Sequence, residues 1–60
     1  MDKVKITCYG KTDVMEREDA MNFYRDCIDN SEGSERERYM NIFLGLLDGL
    51  TEVNDEVVIV

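Results

Sequence analysis

The side chains able to do chemistry in this sequence are two thiols, Cys8 and Cys27, a large set of carboxylates, and scattered hydroxyls; histidine is absent from all 60 residues. Without an imidazole, Ser31, Ser34 and the threonines lack the usual general base, and no Gly-x-Ser-x-Gly elbow presents a nucleophile. Gly45-Leu-Leu-Asp-Gly49 has the wrong spacing for a phosphate loop and falls inside a helical pattern. Asp26 and Asp29 share a polar helical face, while Asp48, Glu52, Asp55 and Glu56 gather near the end of the chain. Neither group has the tight-loop pattern of convergent oxygens that a calcium site needs. A chain this short also has little room for a cleft that would desolvate one member of an acid pair. Two cysteines fill half of a tetrahedral zinc site and no histidine completes it. Cys8 and Cys27 are therefore expected to be reduced, core-facing thiols, with a disulfide as the lesser alternative. No catalytic residue, cofactor or metal is expected.

Composition narrows the class further. The net charge is −7, from 14 acidic and 7 basic residues. Such a surface repels nucleic-acid phosphate at long range, so direct nucleic-acid binding is not expected. No basic segment followed by an apolar one opens the chain, and the longest apolar runs, Ile42 to Leu44 and Val57 to Val60, are far below a membrane span. A cytoplasmic location without membrane contact is the expectation. At 43% hydrophobic residues the chain is too apolar to be disordered, and one small domain over residues 1–60 is expected.

The elements that would position these groups follow from periodicity. Lys3 to Tyr9 alternate strictly, with Val4, Ile6 and Cys8 on one face, which predicts a half-buried strand ended by Gly10. Asp13 and Glu16 have capping-box spacing and predict a helix start. Ala20, Met21, Phe23, Tyr24, Cys27 and Ile28 then form its apolar side. Asn30 to Gly33 breaks the pattern, and Ser34 with Glu37 caps a second helix. Its apolar residues, from Tyr39 to Leu50, sweep about 200° of the helix, well beyond the stripe of a surface helix, so it should contact more than one neighbour. Asn54-Asp55 reads as a turn and Glu56 to Val60 as a second strand. The predicted fold is α+β, in the order β-α-α-β, with an antiparallel two-stranded sheet packed on a helical hairpin.

Two surfaces remain as candidates for binding a partner. Lys3, Lys5 and Tyr9 lie on the outer face of the first strand, beside a sheet edge open to pairing. Arg36 and Arg38 lie in the charged run that opens the second helix, whose plainer reading is a solvated, locally paired helix start. The segment Asn30-Ser-Glu-Gly-Ser-Glu-Arg-Glu-Arg-Tyr39, preceded by Phe23-Tyr24 and an opening Lys-Ile-Thr-Cys-Tyr-Gly, resembles a family of short uncharacterised proteins encoded in conjugative transposons and related mobile elements of Gram-positive gut bacteria. The resemblance covers nearly the whole chain and implies a bacterial, mobile-element context; it carries no activity and no binding residues.

The leading expectation is a small non-catalytic protein-interaction module, a homodimer or an accessory subunit of a mobile-element protein. The alternative is an acidic inhibitor that mimics DNA and occupies a nucleic-acid-binding protein. The lysines and arginines interspersed among the acids weaken that alternative.

Overall fold

A computed structural model describes residues 2–56. The chain runs β1 (Lys3–Cys8), β2 (Lys11–Glu16), α1 (Arg17–Asp29), α2 (Gly33–Leu47) and β3 (Glu52–Asn54). The three strands form one mixed sheet in the order β2-β1-β3, with β1 antiparallel to β2 and parallel to β3. The α+β class and the helical hairpin match the sequence reading; the two-stranded antiparallel sheet does not.

The difference begins at one turn. Tyr9 and Gly10 both have positive φ, 51° and 79°. Two consecutive residues of that kind make the tight turn whose twist matches a hairpin. The chain therefore folds straight back, and Lys11 to Glu16 pair with β1 from Cys8↔Lys11 to Lys3↔Glu16. Asp13, read as a helix cap, is a strand residue opposite Ile6. Helix α1 starts at Arg17, with Glu16 as its N-cap and no side-chain capping bond. Its opening is held instead by the Arg17 N–H, which donates to the Asp2 carbonyl at 2.7 Å. The predicted first strand also stops at Cys8, with Tyr9 in the turn. The added strand reverses the chain once more before the helices, so β3 arrives parallel to β1 and not opposed to it. Glu52 to Asn54 supply that strand, ahead of the predicted Glu56 to Val60; residues 57–60 lie outside the described residues.

Helix α2 begins at Gly33, with Glu32 rather than Ser34 at the cap position and no side-chain capping bond. Its far end is closed by backbone: Gly49 (φ 83°) donates to the Leu46 carbonyl at 3.2 Å and Leu50 to the Gly45 carbonyl at 3.2 Å. This pair of bonds is the Schellman arrangement, which needs a left-handed residue at the position of Gly49.

The core is one cluster of Val4 and Ile6 from β1, Ala20 and Tyr24 from α1, Ile42 and Leu46 from α2, and Val53 from β3. Cys8 and Cys27 are free, half-buried thiols packed against this cluster, and burial pushes the thiol pKa of each up. Gly45 lets β3 approach α2. A Cβ at that position would stand 2.6 Å from Val53 Cγ1 and 3.3 Å from Val53 Cβ, inside van der Waals contact. Both helices pack on one face of the sheet. Among the described residues no helix is long and apolar enough to cross a membrane.

Candidate protein-interaction surface

The five residues singled out from sequence do not form one site. Lys3 and Lys5 lie on the sheet face away from the helices, where Lys3 stands across from Glu16 and Lys5 across from Val14. Glu52 is 3.8 Å from the Lys5 Nζ, with both side chains more than half exposed. The hydroxyls of Thr7 and Thr12 hydrogen-bond across the same face at 3.0 Å. Apart from the exposed Val14 this face is polar, opposite charges stand near one another on it, and an exposed pair of this kind contributes little. Arg36 is exposed near the start of α2.

Tyr9 and Arg38, assigned from sequence to two separate surfaces, meet each other. The Arg38 guanidinium lies over the Tyr9 ring, 4.9 Å from its centroid. Arg38 Nη1 also donates to Asp55 Oδ2 at 2.8 Å, and the Tyr9 N–H donates to the same oxygen at 3.1 Å. The Asp55 N–H in turn donates to the Thr7 carbonyl at 3.1 Å, and Asn41 Nδ2 donates to the Asp55 carbonyl at 3.3 Å. Asp55 is buried, 4% exposed. Burial pushes its carboxyl pKa up, but the Tyr9 N–H and the Arg38 guanidinium outweigh burial and hold it below the ordinary carboxylate value. This cluster ties the hairpin turn, β3 and α2 together. It is a clasp of the fold, and its charges are spent on one another.

A second clasp stands at the opposite end of α2. Arg17 donates from Nη1 to the Leu46 carbonyl at 2.7 Å and from Nη2 to the Leu50 carbonyl at 3.0 Å, while its Nε holds the Asp2 carboxylate. A cation beside the carbonyls at the end of a helix is favoured by the helix dipole. Sequence reasoning passed over Arg17 and weighed Asp55 only as one of a group of carboxylates and as a turn residue, because the partners of both lie far along the chain.

Among the described residues Val14 on β2 and Phe23 on α1 are exposed singly, and the exposed apolar side chains that recur at helix spacing are on α2. Ile42 and Leu46 are buried, whereas Met40, Leu44 and Leu47 are 41%, 54% and 56% exposed. These three recur four and three residues apart, so they form one stripe on the side of α2 turned away from the core. Leu50, 50% exposed, continues the apolar surface past the helix end. The wide apolar arc seen in the sequence is thus divided: one side fills the core and the other faces water.

No family model, curated protein or solved structure matches this chain.

Between α2 and β3 the stripe borders a shallow hollow of about 280 Å³, with Leu44, Gly45, Leu50 and Val53 as its apolar floor and Glu52 and Glu56 on its rim. The adjoining hollow brings Glu37, Asn41 and Glu56 together. The geometry offers apolar contact area beside carboxylates.

Proposed function

We propose that this chain is a non-catalytic protein-interaction module, and that it binds a partner protein through the outer side of α2. The observation that carries this reading is the exposed stripe Met40, Leu44 and Leu47 on a helix whose opposite side already fills the core. Apolar side chains half open to water gain free energy when a partner covers them, at about 25 cal/mol per Å² removed from water. A 60-residue fold has few apolar side chains to spare, and these are not used internally. An accessory role in a mobile element is supported by the resemblance of the segment around Asn30 to Tyr39.

The test is a photo-crosslinker placed at position 40 and, in a second variant, at Glu18 on the outer side of α1. Capture of a protein in the encoding cell from position 40, lost on Leu44→Glu and absent from position 18, supports the reading. Equal capture from both positions, or capture indifferent to Leu44→Glu, overturns it.

The second reading, an acidic mimic of DNA, is favoured by a different observation. The outer side of α1 carries Glu18, Asp19, Asp26 and Asp29, all exposed and only Arg25 among them. Substituting these four by their amides would abolish binding to a basic DNA-binding protein under this reading and leave α2-mediated capture unchanged under the first.

A further inference from the structure

We infer that the occupant of the α2 stripe is a basic amphipathic helix of another protein, and not a second copy of this chain; the inference rests on the docking reading above. The stripe has helix spacing, so a partner helix with apolar residues at the same intervals can lay its own stripe against it. The border of the stripe on the β3 side carries Glu37 and Glu56. Arg38, which lines the same hollow as Glu37 and Glu56, is held by Asp55 at 2.8 Å, and neither glutamate has an ion-pair partner among the described residues. The β3 side of the rim therefore keeps negative charge beside apolar surface; Arg36, four residues before Met40, is the cation at the start of the stripe. A helix with lysines or arginines flanking its apolar residues satisfies both features at once.

A second copy satisfies only one. In a two-fold pair the same patch meets itself, so the carboxylate rim of one protomer would approach that of its partner, in molecules that each carry −7. Juxtaposed like charges at an interface oppose association. The free edge of β2 is also poorly suited to self-pairing, because Asp13 and Lys11 occupy positions facing the helix side of the sheet, and inward charges on an edge strand discourage strand addition. The outer side of α1 is as acidic as the rim but lacks an apolar stripe, which makes it an internal control.

The experiment titrates the isotope-labelled chain with synthetic helical peptides, read by amide and methyl shifts and by calorimetry. One peptide carries leucines at helix spacing flanked by lysines. A second has glutamates in place of the lysines, and a third keeps the lysines with the leucines scrambled. The lysine-flanked peptide is expected to bind one to one, shifting Met40, Leu44 and Leu47 signals. Affinity should fall at least about tenfold for each of the other peptides, for Leu44→Gln, and for the combined Glu37→Gln and Glu56→Gln variant. It should also weaken several-fold when salt is raised from about 50 to about 500 mM, as screening requires. Leu44 is more than half exposed, so Leu44→Gln is expected to fold, with circular dichroism as the check. Equal binding of the lysine and glutamate peptides, or shifts centred on α1, overturns the inference. If the chain alone dimerises through the stripe, and Leu44→Gln abolishes the dimer, the basic-partner inference falls while the docking reading stands. If neither a peptide nor a second copy shifts the stripe signals, the docking reading falls too.

Discussion

Replacing Gly45 by alanine isolates the contact that lets β3 join the sheet. On helix propensity alone the change should stabilise, because glycine in a helix interior is worse than alanine by about 1 kcal/mol. The structure predicts the opposite sign. The new methyl would stand 2.6 Å from Val53 Cγ1, and Val53 is a β-branched residue only 8% exposed, on a strand paired to β1 through Ile6↔Val53. A β-branched side chain is stiff at χ1, and its Cβ would also stand at 3.3 Å, so turning the side chain does not by itself relieve the contact and the strand must give. Overpacking of this kind costs about 1–3 kcal/mol, and a contact this short belongs at the upper end. The net expectation is a loss of roughly 2 kcal/mol, a large part of what a domain this small has. Urea unfolding followed by far-ultraviolet circular dichroism would show it as a lower midpoint at unchanged slope. A double-mutant cycle closes the reasoning. Val53→Ala alone should cost about 1.6 kcal/mol for two buried methyl equivalents. In that background Gly45→Ala should turn neutral or stabilising, giving a coupling of roughly 2 kcal/mol. If Gly45→Ala raises stability by the full propensity gain in the native background, the close approach of β3 to α2 is wrong.

Two further outcomes follow from the same contacts. Because the carboxyl pKa of Asp55 is lower in the fold than its ordinary value of 3.8, its contribution to stability is fully present above about pH 4 and is lost as the pH falls through the depressed value. Unfolding curves at neutral pH and near pH 3 should show this loss for the native chain, and a smaller loss for Asp55→Asn, which starts less stable at pH 7. On α2, Ile42→Ala should cost about 3 kcal/mol and leave the chain largely unfolded, whereas Leu44→Ala, two residues on, should cost well under 1 kcal/mol. Circular dichroism at equal concentration separates them, and similar losses at both positions would refute the division of α2 into a core side and a free side.

The alternation Val4, Ile6, Cys8 determined β1 and its inward face, and the repeat of apolar residues at three and four determined both helices and their antiparallel hairpin. These signals are local: each depends on residues within a turn or two, so they can be read without the rest of the molecule. The apolar arc of α2 likewise announced more apolar surface than one contact consumes. The sequence did not disclose β2, because Tyr9-Gly10 lacks the asparagine or aspartate that usually marks a two-residue hairpin, and Asp13 with Glu16 imitates a helix cap. Missing that strand reversed the direction of β3.

What the tertiary structure alone decided is which apolar residues of α2 are spent and which are left over. The wheel treats Ile42 and Leu44 alike as apolar; only the position of β1, α1 and β3 buries the first and leaves the second half open to water. The same holds for Arg38, whose charge is cancelled by Asp55 seventeen residues away. Burial and pairing between distant segments are properties of the assembled core, and no window along the chain contains them.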